Sequence, residues 1–275
     1  MSESCGHDCG SCQENCAERD PHAKLGEFSS IKKVVAVSSG KGGVGKSSVT
    51  AMLAVLLSRR GLKVGVLDAD ITGPSIPRAF GIKRKARGSE MGILPEETAM
   101  GIKVMSINLL LEHEDQPVVW RGPILAGAVT QFWTDVAWGE LDVLLIDMPP
   151  GTGDVPLTVY QSLAVDGTIV VSTPQSLVQM VVGKAKKMAD MLSIPVLGMV
   201  ENMSYAVCPD CGRRIELFGT PEGLEQAAAE MGVPLLTRLP MTPDVARLCD
   251  EGEIERVVCE EMKPAADAVE RLLKE

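Results

Sequence analysis

The sequence predicts an α/β fold in which a mostly parallel, twisted sheet carries helices on both faces. Short, continuous apolar runs alternate with longer helical stretches, which is typical of parallel strands buried on both sides. Hydrophobic residues make up 45% of the 275 residues and aromatic residues only 3%, so the predicted core is Val, Leu, Ile, Met and Ala. The predicted strands are residues 33–38, 63–67, 103–107, 143–146, 168–171, 196–200 and 235–239. The predicted helices are residues 46–60, 123–138, 175–191, 221–231 and 243–251.

The charge balance of the chain indicates which kinds of binding partner are unfavourable. The chain has 27 basic and 37 acidic residues, a net charge of −10, which argues against non-specific binding to nucleic acid or to anionic membrane. No apolar run approaches the ~20 residues that a membrane-spanning helix needs. The first residues lack the layout of a secretory signal. We therefore expect a cytoplasmic protein, in which clustered cysteines stay reduced and bind metal.

A glycine-rich segment joins the first predicted strand to the first predicted helix. Its sequence GKGGVGKS fits G-x-x-x-x-G-K-[ST], and the flanking strand and helix are the context that this P-loop motif requires. Glycines let backbone N–H groups turn toward phosphate oxygens, and the helix amino terminus adds positive charge. We predict that Lys46 neutralises the β- and γ-phosphates of ATP and that Ser47 binds Mg²⁺. The predicted nucleotide-binding residues of this loop are Gly40, Lys41, Gly42, Gly43, Val44, Gly45, Lys46, Ser47 and Ser48.

Carboxylates follow two of the other predicted strands. Asp147 ends the apolar run 143–146, and an acid at the carboxyl end of such a strand lies beside the P-loop, where it can hold a water of Mg²⁺. Asp68 and Asp70 follow the strand 63–67. We predict that Asp70, farther along the strand exit, orients the attacking water, and that Asp68 satisfies backbone N–H groups or Lys46.

A pair of cysteines, Cys208 and Cys211, lies in a polar segment after the strand 196–200. The spacing C-x-x-C places two thiolates within reach of one soft metal. Two thiolates are half of a four-ligand site, and a symmetric dimer would supply an identical second pair. The spacing alone fits an iron–sulfur cluster and a zinc site equally well.

Residues 1–30 form a predicted metal-binding tail, and residues 31–275 form the predicted P-loop ATPase domain. The tail contains Cys5, Cys9, Cys12 and Cys16, whose count matches a complete [4Fe–4S] or zinc site. Cys249 and Cys259 have no cysteine nearby in the sequence and are expected to be buried as small apolar residues. The last helix is predicted to pack on the core through one face. That face comprises Val258, Met262, Ala265, Val269 and Leu272.

The motifs together resemble the Mrp/ApbC family of iron–sulfur cluster carrier ATPases, a branch of the MinD-like P-loop proteins. The resemblance extends from about residue 31 to residue 250. It rests on SSGKGGVGKSS (38–48), LDADITGPSIP (67–77), LLIDMPPGTGD (144–154), STPQ (172–175), ENMS (201–204), CPDCG (208–212) and LFG (217–219). The second and third segments are more specific than the P-loop itself and separate this family from cell-division and partition ATPases.

The resemblance implies an ATP-binding homodimer in which a labile [4Fe–4S] cluster bridges Cys208 and Cys211 of both subunits. It also implies that Lys41 reaches the nucleotide of the partner subunit and that Asn202 reads the adenine base. The cysteine tail resembles that of the eukaryotic cytosolic scaffold branch, which holds a second cluster there, although the spacing here is tighter.

The leading functional hypothesis is an ATP-hydrolysing scaffold or carrier that assembles [4Fe–4S] clusters or transfers them to apo-proteins. The first alternative is a MinD/ParA-like positioning ATPase with a structural zinc site. A second alternative is a redox ATPase similar to NifH. That class is joined by well-separated single cysteines, whereas this chain has a close pair.

Overall fold

The computed structural model describes residues 22–71, 73, 75–111, 122–174, 178–218 and 222–275. The four N-terminal cysteines lie outside these residues. The strands are β1 (Ser29–Ser38), β2 (Val64–Asp68), β3 (Arg87–Ser89), β4 (Gly92–Leu94), β5 (Glu96–Glu97), β6 (Lys103–Ser106), β7 (Gly139–Asp147), β8 (Gly167–Ser172), β9 (Val196–Val207), β10 (Arg214–Glu216) and β11 (Leu235–Pro240). The α-helices are α1 (Lys46–Arg59), α2 (Ile76–Ala79), α3 (Gly122–Thr134), α4 (Asp154–Ser162), α5 (Val178–Met191), α6 (Glu222–Glu230), α7 (Pro243–Glu251) and α8 (Lys263–Leu272).

One large sheet organises the described residues. Its strand order is β10-β9-β8-β1-β7-β2-β6-β5, and β11 also pairs with β9. The pairings are parallel except for those of β10 with β9 and of β5 with β6. Strand β1 lies between β7 and β8, so the chain turns to opposite sides of β1, and ligands of parallel sheets bind at the carboxyl ends of the strands beside such a point. The predicted mostly parallel α/β fold is confirmed.

Helices pack on both faces of the sheet. Apolar side chains of the central strand β1 point alternately to one face and to the other, so each face offers a surface for helices to bury. Val35 and Val37 of β1 join a core cluster that contains residues of α1, α7 and α8. Val34 and Ala36 point the other way, into a cluster with residues of α3 and α4. These four side chains are at most 3% exposed. Burial on both sides explains the continuous apolar run that the sequence shows. Of the helices that the structure describes, none is long and apolar enough to cross a bilayer.

Strand β9 is longer than predicted. It runs to Val207 rather than to Val200, and Glu201 lies level with Ser172, the last residue of β8. Residues 202–207 therefore extend past the end of β8. The predicted end of this strand at residue 200 is wrong, whereas Cys208 and Cys211 do lie in a connection after the strand, as predicted.

The folded domain begins before the predicted boundary at residue 30. The N–H of Ala23 donates to the carbonyl of Ser162 at 2.7 Å, and Nε1–H of Trp133 donates to the carbonyl of Ala23 at 2.8 Å. Strand β1 already starts at Ser29, so a boundary at residue 30 would cut through it.

The predicted apolar face of the last helix is largely confirmed. Ala265, Val269 and Leu272 are buried in α8, and Met262 is buried just before it. Val258 is 78% exposed and precedes the helix, so its assignment to that face is wrong.

Candidate functional site: a nucleotide site and a cysteine hairpin

The P-loop connects the end of β1 to the start of α1 and encloses a cavity of about 250 Å³. We call it the P-loop cavity. Gly43 and Gly45 have φ angles of +80° and +75°, which glycine adopts without steric cost. A Cβ atom on Gly45 would also lie 2.3 Å from Nδ2 of Asn202. The cavity is lined by Ser39, Lys41, Gly42, Gly43, Val44, Gly45, Lys46, Ser47, Ser48, Asp70, Ser75 and Pro150.

Lys46 lies between two of the predicted acidic residues. Its Nζ is 2.7 Å from Oδ1 of Asp147 and 3.9 Å from Oδ2 of Asp70. The lysine side chain is 6% exposed and that of Asp147 is fully buried. A lysine in this position can form an ion pair with a phosphate that enters the P-loop cavity. Its ion pair with Asp147 would then be broken or weakened.

The carboxylate of Asp147 accepts hydrogen bonds from two hydroxyl groups of α1. Ser47 donates Oγ–H to Oδ2 of Asp147 at 2.6 Å, and Thr50 Oγ1 lies 2.9 Å from Oδ1. The structure therefore places two oxygen ligands of the kind that Mg²⁺ prefers, Ser47 and Asp147, in direct contact. Thr50 was not predicted from the sequence. Its signal was available, because a residue four positions after Lys46 lies on the same face of a helix.

The two acids after β2 differ in their surroundings. Asp70 lines the P-loop cavity, whereas Asp68 is fully buried behind it. Asp68 accepts the backbone N–H groups of Asp70 at 3.2 Å and Ile76 at 3.3 Å. Burial, and next the charge of Asp147, raise the pKa of Asp68 well above its ordinary value. Asp68 thus binds backbone N–H groups, and Asp70 is the acid that can meet a ligand.

A second concavity of about 620 Å³ opens beside the P-loop. We call it the β9–α7 groove. Gly45 and Ser48 of the P-loop and Asn202 of β9 line one part of it. The remaining lining residues are Met52, Met203, Ala206, Val207, Leu239, Pro240, Met241, Thr242, Pro243, Val245, Ala246, Val258, Cys259 and Glu261. A mostly apolar groove beside a phosphate loop has the character of a site for a flat base.

Asn202 ties strand β9 to the P-loop. Its Nδ2 donates to the carbonyl of Val44 at 2.9 Å, and its side chain is buried. The neighbouring Glu201 points to the other side of the strand, where Oε2 accepts Nε–H of Arg238 at 2.8 Å and the hydroxyl of Ser204 at 3.1 Å. Oε1 of Glu201 has no hydrogen-bond partner among the described residues, and burial raises the pKa of this carboxyl.

Cys208 and Cys211 lie at the turn of the hairpin formed by β9 and β10. We call residues 207–216 the CPxC hairpin. Cys208 donates N–H to the carbonyl of Arg213, and Gly212, with a φ of +70°, donates N–H to the carbonyl of Cys208, both at 2.9 Å. The N–H groups of Cys211 and Asp210 also donate to the sulfur of Cys208 and lower the pKa of this thiol.

The cysteine pair has no third ligand in the described part of one chain. No group of three or more His, Cys, Asp or Glu residues able to hold a metal occurs there. The four cysteines that the structure describes are free thiols. A four-coordinate metal or cluster at this hairpin therefore needs ligands from elsewhere.

The other two described cysteines lie close to the nucleotide site. Sγ of Cys249 is 3.8 Å from Oγ of Ser48, and burial raises the pKa of its thiol. Cys259 lines the β9–α7 groove. Burial, and next the charge of Glu261, raise the pKa of Cys259 to about 11. Both are half-buried and pack against the core, which is close to the prediction.

A glycine loop after β1 that faces acids from β2 and β7 defines a P-loop NTPase with the fold of the MinD and ParA ATPases. The cell division ATPase MinD of Pyrococcus furiosus superposes with a TM-score of 0.60 at 22% identity, covering 88% of this chain and 99% of that one. The family model described as "ParA: NUBPL iron-transfer P-loop NTPase" matches residues 30–275. The chain belongs to this family of iron-transfer P-loop NTPases.

More similar relatives agree with this assignment. A protein of Clostridium perfringens named iron-sulfur cluster carrier protein is 47% identical over 254 residues, 89% of this chain and 88% of that protein. The protein of the same name from Methanocaldococcus jannaschii is 48% identical over 247 residues, 89% of this chain and 84% of its own length. A nucleotide-binding protein of Archaeoglobus fulgidus, solved in complex with ADP, is 47% identical with a TM-score of 0.76. The match covers 85% of this chain and 91% of that one.

Proposed function

We propose that this chain is an ATP-binding and ATP-hydrolysing carrier of iron–sulfur clusters that holds its cargo between the CPxC hairpins of two copies. The observation that carries the proposal is the Cys208–Cys211 pair at the turn of one hairpin, which has no third ligand in the described part of its own chain. Backbone N–H groups that donate to the sulfur of Cys208 lower the pKa of this thiol, which suits a metal ligand. The names of the relatives from Clostridium and Methanocaldococcus support the same cargo.

The nucleotide half of the proposal assigns roles within the P-loop cavity. The backbone of residues 40–48 would hold the phosphates, and Lys46 would pair with the β- and γ-phosphates. Ser47 and Asp147 would hold Mg²⁺ directly or through water. Asp70 would orient the attacking water, and the exposed Lys41 would reach the nucleotide of the second copy. The ADP complex of the Archaeoglobus relative supports nucleotide binding here.

The base of ATP would lie in the β9–α7 groove. Asn202 lines this groove while its amide is bound to the carbonyl of Val44, so it would contact the base and the P-loop together. This contact supports the expectation that Asn202 recognises the adenine base. Its side chain is oriented by a hydrogen bond to the P-loop, which would hold the phosphates.

The cargo half of the proposal follows from ligand number. One [4Fe–4S] cluster takes four thiolates, so two copies with Cys208 and Cys211 complete one site. The homodimer is thus part of the proposal, as are apo-proteins that receive the cluster. Cys5, Cys9, Cys12 and Cys16 remain our candidates for a second cluster. We place the protein in the cytoplasm, where thiols stay reduced.

The test is anaerobic reconstitution with iron and sulfide of the protein lacking residues 1–20 and of its Cys208→Ala variant. The parent should gain a [4Fe–4S] absorption spectrum, about two iron atoms per chain because one cluster spans two chains, and a larger fraction of dimer. The variant should lose the colour and shift toward monomer. Cys249→Ala is the matched control, since it removes a cysteine outside the hairpin and should keep the spectrum.

A colourless protein that binds one tight zinc ion and passes no cluster to an apo-acceptor would contradict the carrier. That result would favour the positioning ATPase with a structural zinc site.

A further inference from the structure

The β9–α7 groove and the CPxC hairpin share one piece of chain. Residues 202–207 of β9 extend past the end of β8, and Asn202, Met203, Ala206 and Val207 line the groove. Val207 is followed directly by Cys208. A molecule that fills the groove therefore touches the strand that supports the cysteine pair.

The shared strand contains a strained residue. Met203 has a φ of +54°, and the only other described non-glycine residue with a positive φ is Ser193, in the turn after α5. The left-handed conformation is sterically unfavourable for a residue that has a Cβ atom. Such conformations persist where the surrounding structure fixes them, often at functional sites. In β9 the strain lies between the P-loop contact of Asn202 and the hairpin.

Contacts on both sides of Met203 hold it in place. Before it, Asn202 is bonded to the P-loop and Glu201 to Arg238. After it, the carbonyl of Tyr205 accepts the N–H of Met241 at 2.7 Å. The register between β9 and β11 shifts in this stretch, between Arg238 and Pro240. The left-handed residue thus lies where β9 changes its course relative to β11.

The hairpin follows the strand as a stiff extension. Arg214 of β10 stacks over the ring of Tyr205, with its guanidinium carbon 4.3 Å from the ring centroid. The backbone bonds between Cys208, Arg213 and Gly212 close the turn. A change in the course of residues 202–207 is therefore passed on to the two sulfur atoms rather than absorbed by a loose loop.

We infer that residues 202–207 couple the occupancy of the β9–α7 groove to the position of the CPxC thiols, with Met203 as the positioning residue. A base in the groove stabilises the present course of the strand, so the nucleotide state changes how firmly the cysteine pair is held. This inference rests on the proposed nucleotide site and adds the route by which that site regulates the cargo site.

Amide hydrogen exchange of the full-length protein tests the inference with two ligands. ADP fills both the P-loop cavity and the groove, whereas inorganic pyrophosphate fills the P-loop cavity alone. Calorimetry first measures the affinity of each ligand, and exchange is then compared at equal occupancy. Saturating ADP should slow exchange of residues 204–216 at least about threefold, and pyrophosphate should not. Peptides from α8 serve as an internal reference.

Two variants at position 203 separate strain from side-chain loss. Met203→Asn keeps a residue that tolerates the left-handed conformation and should retain the ADP effect, whereas Met203→Gly frees the backbone and should lose most of it.

Equal exchange with and without bound ADP would overturn the coupling while leaving the proposed function intact. Slowing by pyrophosphate would overturn the route through the groove, and a full effect in Met203→Gly would overturn the role of Met203. Failure of ADP to bind would refute the proposed function itself, and the inference with it.

Discussion

The ammonium nitrogen of Lys46 lies 2.7 Å from Oδ1 of Asp147, and both side chains are buried. The lysine that phosphate needs is thus ion-paired with the carboxylate that we assign to Mg²⁺. Nucleotide and metal together would replace this pair by two new ones, lysine with phosphate and carboxylate with metal. Phosphate and metal are therefore expected to bind as a unit.

The Lys46→Ala substitution should abolish turnover. Without the ammonium, the charge that develops on the phosphates has no partner, and we expect ATP hydrolysis to fall at least ~100-fold with a parallel loss of nucleotide affinity. Lys63→Ala is a matched control, because Lys63 is an exposed lysine that pairs with Glu140 at 2.7 Å. Unchanged turnover in Lys46→Ala would contradict the P-loop assignment.

The Asp70→Ala substitution should separate binding from hydrolysis. Asp70 lines the P-loop cavity, so its loss should leave ATP bound while the attacking water is poorly oriented. Single-turnover hydrolysis and nucleotide affinity measure the two effects. Asp68→Ala should instead lower the free energy of unfolding, because the N–H groups of Asp70 and Ile76 lose their acceptor. Normal hydrolysis in Asp70→Ala with slow hydrolysis in a folded Asp68→Ala would reverse our assignment.

The Arg238→Ala substitution should destabilise the fold. It leaves the buried carboxylate of Glu201 without its cation, and because Arg238 is itself 30% exposed, we expect a cost of about 2 kcal/mol, below that of a fully buried pair. Urea unfolding gives the number. Arg247→Ala is the comparison, since Arg247 is 54% exposed and its ion-pair partners among the described residues are exposed acids of its own helix. We therefore expect a change below ~1 kcal/mol. Equal effects of the two substitutions would refute the importance of the buried pair.

Thiol alkylation should distinguish Cys208 from Cys259 by pH. Only the thiolate reacts, and at pH 7 a thiol with a pKa of about 11 is ionised to a fraction of ~10⁻⁴. The pKa of Cys208 is lowered, so its alkylation should accelerate at a lower pH than that of Cys259. Mass spectrometry of the two peptides after brief exposure to iodoacetamide measures both rates. A faster reaction of Cys259 at pH 7 would contradict the assigned environments.

Two truncations should locate the start of the folded domain. Removal of residues 1–20 leaves the bonds of Ala23 to Ser162 and Trp133 intact, so the free energy of unfolding should change little. Removal of residues 1–28 breaks these bonds and should destabilise the protein. If the four N-terminal cysteines hold a cluster, the first truncation should also remove about four iron atoms per chain and leave about two. Equal iron in truncated and full-length protein would show that this segment holds no cluster.

The sequence predicted the features whose signals are local. The P-loop has a fixed spacing, and Asp147 ends an apolar strand, so both were found with their neighbours in the fold. The end of β9 was missed because Glu201 and Asn202 interrupt the apolar run. Their partners, Arg238 and the carbonyl of Val44, are remote in sequence, and only the folded chain shows that these polar groups are satisfied within a strand.

Tertiary packing also determines where helices begin and which of their residues contact the site, and local patterns do not show this. Val258 has the right spacing for the face of α8, but the helix begins at Lys263 after a separate turn, so the periodicity extended beyond the element. The position of Thr50 four residues after Lys46 places it on the same helix face as the P-loop lysine. Its bond to Asp147, however, depends on the pairing of β1 with β7, which no local pattern shows.

The length of β1 has a consequence for the movement of cargo. Its ten residues separate Ser29, near the point where the chain enters the fold, from Ser38 at the P-loop by about 30 Å. Ser29 therefore lies at the end of the sheet remote from the P-loop, whereas Cys208 follows β9 at the end where the P-loop lies. A cluster held at the CPxC hairpin would thus share one end of the domain with the nucleotide. An apo-protein that receives this cluster would approach the domain from that end.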